Sequence, residues 1–354
     1  MKNCYINGVG SVSAQETSDY ETFLENYKEI TTNITTVCKP NYRDFIKPNR
    51  IRRMASGVKN GVVAAKIALT EANLDSPDAI ITGTGMGCTI DSEKFLKNIV
   101  ANDEQFLTPT SFIQSTHNTV GGQIALSLQC NAYNVTYVHN ATSFETSIID
   151  AMLMLNDDAS KILVGAVDEI GKQTTEFYKE AKIVKPEEII FKDGLLNSKT
   201  KGTSLSEGAH FFVLENEKTT NTYAKIKAVE IYDILEENKI EEKIHQFLKD
   251  NQLDIDTIDA VILGNNGNVE FDCIFNNLQN GIFKHTQQLY YKHLSGEYYT
   301  ANGFGLYLAS NILKNQEIPE IVKINHKENK SLKHILLYNQ YRGEEHSFIL
   351  LSSC

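Results

Sequence analysis

The stretch from Tyr133 to Leu155 constrains the fold of this chain more than any other. Tyr133-Asn-Val-Thr-Tyr-Val138 reads as a short buried strand, and Thr142-Ser-Phe-Glu145 has the form of a capping box, after which Ile148, Ile149, Met152 and Leu155 continue at helical spacing. Only His139, Asn140 and Ala141 lie between, so the chain must turn sharply from strand to helix. A strand feeding straight into an amphipathic helix is the building unit of layered α/β folds.

The same alternation runs along the rest of the chain. Arg53 to Asn73 carries Val58, Val62, Ala65 and Leu69 on one helical face, and Asp78-Ala-Ile-Ile-Thr82 is a short strand running into Gly83-Thr-Gly-Met-Gly87. A lone GxGxG does not specify a nucleotide; its glycines let backbone approach a neighbour closely. The loop Leu107 to Phe112, a small-residue helix over His117 to Leu126, a strand over Lys161 to Ala166 with an acidic turn at Val167-Asp-Glu169, and a strand within Ser206 to Glu215 follow. Polar Asn216 to Thr222 reads as a linker. Beyond it Ala224 to Ile231, Ile240 to Phe247 and Asp259 to Gly264 restart strand, helix and strand, so two similar halves are expected, residues 1–216 and 222–354, with a mixed sheet covered by helices.

Composition narrows the function. The 354 residues, 41% apolar and 22% charged, can bury two sizeable cores. A net charge of -11 argues against nucleic acid, whose binding rests on clustered Lys and Arg. An acidic macromolecule would need a local basic patch, and Lys47, Arg50, Arg52 and Arg53 form one in sequence. Cys4, Cys38, Cys88, Cys130, Cys273 and Cys354 show no paired spacing, so free thiols, a reducing compartment and no structural metal are expected. No apolar run reaches the ~18 residues of a membrane span, and the N-terminus has no signal-like pattern, which predicts a cytoplasmic chain with no membrane partner.

Taken in order, these pieces resemble the β-ketoacyl synthases of the thiolase superfamily. The resemblance rests on Arg52-Arg-Met54 opening a helix, Gly83-Thr-Gly-Met-Gly87, Thr116 to Ala125 and the strand-turn-helix at Asn140. Val164-Gly-Ala-Val-Asp168, Ser206-Glu-Gly-Ala209, Gly264-Asn-Asn-Gly267 and Lys292-His-Leu-Ser-Gly-Glu297 complete it. It implies a five-layer αβαβα fold of two similar halves. It also implies an acyltransferase parentage, in which a cysteine at the strand-to-helix turn holds the acyl chain and two histidines assist decarboxylation of malonyl groups. A helix N-terminus favours the thiolate such a reaction needs.

Counting 25 residues back from Gly165, as the family pattern implies, puts Asn140 at the cysteine position. Asn266 falls at the first histidine, Glu297 at the second, and Lys292 alone is retained. An asparagine amide is neither ionisable near neutral pH nor appreciably nucleophilic, so no intact catalytic set is expected. The C-terminal loop departs from the family as well, reading Tyr338-Asn-Gln-Tyr-Arg-Gly-Glu-Glu-His346.

The resemblance therefore implies a non-catalytic, chain-length-factor-like subunit that pairs with an active ketosynthase and serves acyl carrier protein, in polyketide, aryl-polyene or fatty-acid-type synthesis, with no cofactor. Two other readings stand beside it: a diverged 3-oxoacyl synthase or malonyl decarboxylase with residual activity, and a standalone acyl-binding scaffold. Family dimers join through the strand before the turn and the Thr116 to Ala125 helix. At single positions, Asn140 reads as a turn residue or as a residual carbonyl binder, and Met86 as an acyl-channel gate or a core methionine. Glu145 with Glu297 could form an acid/base pair, although the capping box already accounts for Glu145; His139 and Ser143 stand too close in the chain to orient as base and nucleophile.

Overall fold

The computed structural model describes residues 2–17, 26–157, 159–188, 193–327 and 331–354. Ten strands form the framework: β1 (Tyr5–Val12), β2 (Ala79–Gly83), β3 (Tyr133–Tyr137), β4 (Lys161–Asp168), β5 (Gly208–Glu215), β6 (Ala224–Tyr232), β7 (Ala260–Leu263), β8 (Gln287–Tyr290), β9 (His334–Tyr341) and β10 (Glu344–Ser352). Their order is β3-β2-β4-β5-β1-β6-β10-β9-β7-β8. Read outward from the centre, β1-β5-β4-β2-β3 and β6-β10-β9-β7-β8 are the same topology written twice. In each half the two outer pairings are parallel and those nearer the centre antiparallel. The halves meet where Tyr5 and Ile6 pair with Lys225 and Ala224.

Strand alternation sorts side chains into layers. In the first half Ile80, Leu163, Phe211 and Val213 face the helices Ser56–Glu71 and Thr119–Leu128, while Ile81, Val164, Phe212 and Leu214 face inward. In the second half Ile262, Leu337, Ile349 and Leu351 face inward too, and Val261, Leu336, Phe348 and Leu350 pack outward against Glu237–Asp250 and Val269–Asn280. Between the two sheets lie the helices Ser143–Asn156 and Asn302–Asn315, the latter buried from Asn302 to Leu313. The result is five layers, helix, sheet, helix, sheet, helix, the thiolase-like architecture. Strands covered on both faces need apolar residues on both, hence runs such as Ile162-Leu163-Val164 and Ile335-Leu336-Leu337.

Two local readings differ from expectation. β3 is not buried: it ends the sheet with one neighbour, Tyr133 and Asn134 exposed and Val135 to Tyr137 half-buried. Its polar alternates Asn134 and Thr136 are the signature of a half-covered strand. The segment Tyr338 to His346 is a β9-β10 hairpin whose two turn residues, Arg342 and Gly343, both have left-handed backbones (φ 56° and 79°), as a tight two-residue hairpin turn requires.

Candidate functional site

The turn after β3 carries Asn140, exposed and with φ 43° in a single 3₁₀ turn, Asn140–Thr142, before the helix Ser143–Asn156. Asparagine tolerates that left-handed conformation better than most side chains. The predicted capping box does not form. Thr142 donates its hydroxyl to the His139 carbonyl (3.1 Å). Ser143 Oγ instead receives the His139 N–H (2.8 Å) and hydrogen-bonds the carbonyls of Asn140 and Thr84. Glu345, on the bulge that opens β10, accepts the Ala141 N–H at 3.2 Å and so sets a carboxylate of the chain's own against the turn that leads into the helix. The His139 ring turns outward to Asp233 (3.1 Å), away from Ser143.

Glu145 faces the interior because the helix it sits on is the central layer. One oxygen receives Asn302 Nδ2 and Ser347 Oγ (2.8 Å), and the other meets no partner among the described residues. Burial holds this carboxyl above the ordinary carboxylate range.

Asn266, Glu297 and Lys292 do come together. Asn266 Nδ2 and Lys292 Nζ each donate to Glu297 Oε2 at 2.6 Å, and Lys292 Nζ also donates to Asn339 Oδ1 at 2.9 Å. All three side chains are at most 5% exposed. Asp272 holds the loop below by accepting the N–H groups of Asn266 and Gly267, and burial pushes its carboxyl up to about 6. Gly264 is required here, because a Cβ would lie 2.0 Å from Asn339 Oδ1. Lys292 and Asn266 both hold one oxygen of Glu297, Asn266 is also tied to the Asn268 N–H, and none of the three side chains is a thiol or hydroxyl nucleophile. Among the described residues no hydrogen bond joins the Asn140 side chain to this cluster.

The Gly83 to Gly87 loop binds the chain itself. Asp168 accepts from Thr84 Oγ and from the N–H groups of Gly85 and Met86 with one oxygen, and from Thr300 with the other, tying the two halves together. Beside it Met86 Sδ accepts from Tyr178 Oη at 3.1 Å. Met86, Tyr178, Tyr298, Tyr299, Tyr341 and Glu297 surround a cavity of about 30 Å³, room for little more than one water. An outer pocket of about 210 Å³, with Lys182, Lys201 and Arg342 at its rim, ends on Asn266, Glu297 and Tyr341. The tyrosine cluster escaped the sequence reading because its members come from three separate segments with no common spacing; Glu345 escaped because its aim depends on a bulge.

Of the basic patch, Lys47, Arg50, Arg52 and Arg53 are all exposed, and Arg50 and Arg53 border a groove with Met54, Ile113 and Leu126. Cys4 and Cys88 are buried, Cys38 and Cys130 half-buried, Cys273 and Cys354 exposed, and all are free. Among the described residues no group of His, Cys, Asp or Glu could hold a metal ion, and no helix is long and apolar enough to cross a membrane.

Solved structures similar to this one include the ishigamide ketosynthase/chain length factor (TM-score 0.81, 16% identity, 100% of this chain and 99% of that one). A β-ketoacyl synthase from Burkholderia phymatum STM815 is comparable (0.80, 13%, 100% of both). So is the ketosynthase ApeO in complex with its chain length factor ApeC from Xenorhabdus doucetiae (0.78, 13%, 100% and 98%). Among curated protein sequences none matches. The family model of the β-ketoacyl synthase N-terminal domain matches residues 29–241, more than half of the chain. On that match, and with the five-layer fold that carries it, the chain belongs to the β-ketoacyl synthase family.

Proposed function

We propose that this chain is a non-catalytic, chain-length-factor-like subunit that pairs with an active ketosynthase in the cytoplasm and works on chains carried by acyl carrier protein. The observation that carries this reading is the buried, ion-paired Asn266–Glu297–Lys292 cluster, with Asn140 at the turn. The family scaffold is kept while no residue at the positions the resemblance assigns to chemistry can form a thioester or act as a free base. The open edge at β3 supports pairing, since unpaired strand edges are covered in stable assemblies. Structures of similar shape are described as ketosynthase/chain length factor pairs. The exposed Arg50 and Arg53 groove offers a cationic surface to an acidic carrier protein.

The cavity of about 30 Å³ beside Met86 counts against an acyl chain held at that gate, and the ion-paired Glu297 counts against residual decarboxylation. The test is condensation of malonyl carrier protein by this chain with and without a cysteine-bearing ketosynthase encoded beside it. Activity in the pair alone, abolished by mutating the partner's cysteine and untouched by Asn140→Ala, is expected. Turnover by the isolated chain would overturn the reading.

A further inference from the structure

The 63 residues between Lys97 and Lys161 contain no Lys or Arg, although the chain has 34 in all; their charged residues are Asp103, Glu104, Glu145, Asp150, Asp157 and Asp158. This stretch builds one end of the molecule: the edge strand β3 and the helices Thr119–Leu128 and Ser143–Asn156 on either side of it. Asn134 Nδ2 of β3 donates to the Gly121 carbonyl (2.9 Å) on one face, and Tyr133 Oη donates to Asp150 Oδ2 (3.3 Å) on the other. Leu126 (62% exposed), Leu153 (56%), Val138 (50%) and Tyr133 (43%) lie open around it.

Apolar side chains flanking an unpaired edge call for a strand from another chain, flanked by its own helices. Asp150 limits which chain that is. It is bonded by Tyr133 and is close to Tyr137, at the two ends of β3. Two copies related by a two-fold axis would pair β3 antiparallel, Tyr133 of one beside Tyr137 of its mate, and would bring both Asp150 carboxylates to the same junction. The stretch itself carries no Lys or Arg to neutralise them, Lys2 being engaged at the Asp157 carbonyl at the far end of the helix, and burying an uncompensated carboxylate is costly.

We infer that the partner on this face is a second ketosynthase-fold chain that presents Lys or Arg against Asp150, and that self-pairing through β3 is disfavoured. This rests on the subunit reading above and adds to it the charge that selects the partner. A cysteine-bearing ketosynthase encoded beside this chain is the probe, and sedimentation of each chain alone and mixed is the readout, at low and high salt. The wild-type chain alone stays monomeric at micromolar concentration and forms a 1:1 complex with the probe. Asp150→Arg, with unchanged circular dichroism, weakens that complex about tenfold or more. Asp150→Asn weakens it less and increases self-association. A complex whose affinity changes less than about twofold on Asp150→Arg, judged against the tenfold expected of a desolvated charge pair, overturns the charge selection and leaves the subunit reading standing. A tight wild-type homodimer with no complex overturns both.

Discussion

Lys292 Nζ lies 2.6 Å from Glu297 Oε2, with both side chains at most 2% exposed, at the place where the resemblance expects a histidine to serve the reaction. A buried pair of this kind stabilises only while both partners are present, because the penalty for taking each ion from water is offset by the other. Glu297→Ala should therefore cost roughly 3–5 kcal/mol in urea unfolding, by leaving Lys292 charged and unpaired. The double variant Lys292→Met/Glu297→Leu should recover most of that loss. If the single variant unfolds like wild type, the pair does not hold the second half together.

At Asn140 the backbone, rather than the amide, is expected to decide. With φ at 43°, Asn140→Gly should leave stability within about 0.5 kcal/mol of wild type, while Asn140→Val should lose about 1–2 kcal/mol from left-handed strain. Condensation by the pair should be the same with either variant once both are folded. Loss of activity in folded Asn140→Gly would reveal a polar role for the amide.

The tyrosine cluster is expected to be what closes the interior. A Cβ on Gly85 would lie 2.4 Å from Tyr299, and the Tyr299 and Tyr341 rings sit 4.8 Å apart, so the Tyr299 ring fills the space against the glycine loop. Tyr299→Ala should join the inner cavity to the outer pocket. The measurement is uptake of a fluorescent fatty acid, expected in the variant and absent from wild type; uptake by wild type would mean that the rings move aside unaided.

Glu169 makes stability depend on pH. Burial, its largest influence, raises its carboxyl from an ordinary 4.5 to about 7, although it accepts the N–H groups of Gly57 and Ile90. The folded chain keeps this proton to higher pH than the unfolded chain does. Its contribution is therefore complete below about pH 4.5 and is lost as pH rises to about 7, a change on the order of 3 kcal/mol. Urea unfolding of wild type against Glu169→Gln at pH 5 and pH 8 should show a flatter pH dependence in the variant, alongside a lower stability at pH 5 from the lost backbone acceptor. Parallel curves would place the proton elsewhere.

What the sequence by itself determined is the repeating part. Runs such as Ile80-Ile81 and Ile162-Leu163-Val164, and the apolar faces of Val58 to Leu69 and Ile148 to Leu155, specify doubly covered strands and amphipathic helices through local periodicity alone. The motifs around Asn140, Asn266, Lys292 and Glu297 name them as the positions that the resemblance assigns to chemistry.

Only the tertiary structure decided what those residues meet. Glu145 has the spacing of a capping residue, yet its helix is the central layer, so its carboxyl turns to Asn302 and Ser347, 157 and 202 residues away. The turn before that helix is met by Glu345 from 204 residues away, and Tyr178, Tyr299 and Tyr341 converge on one cavity from separate segments. β3 looks buried in sequence and is an open edge in space. Periodicity reports how one segment repeats along its own axis, whereas a contact between distant segments depends on how the layers stack, and no local pattern carries that information.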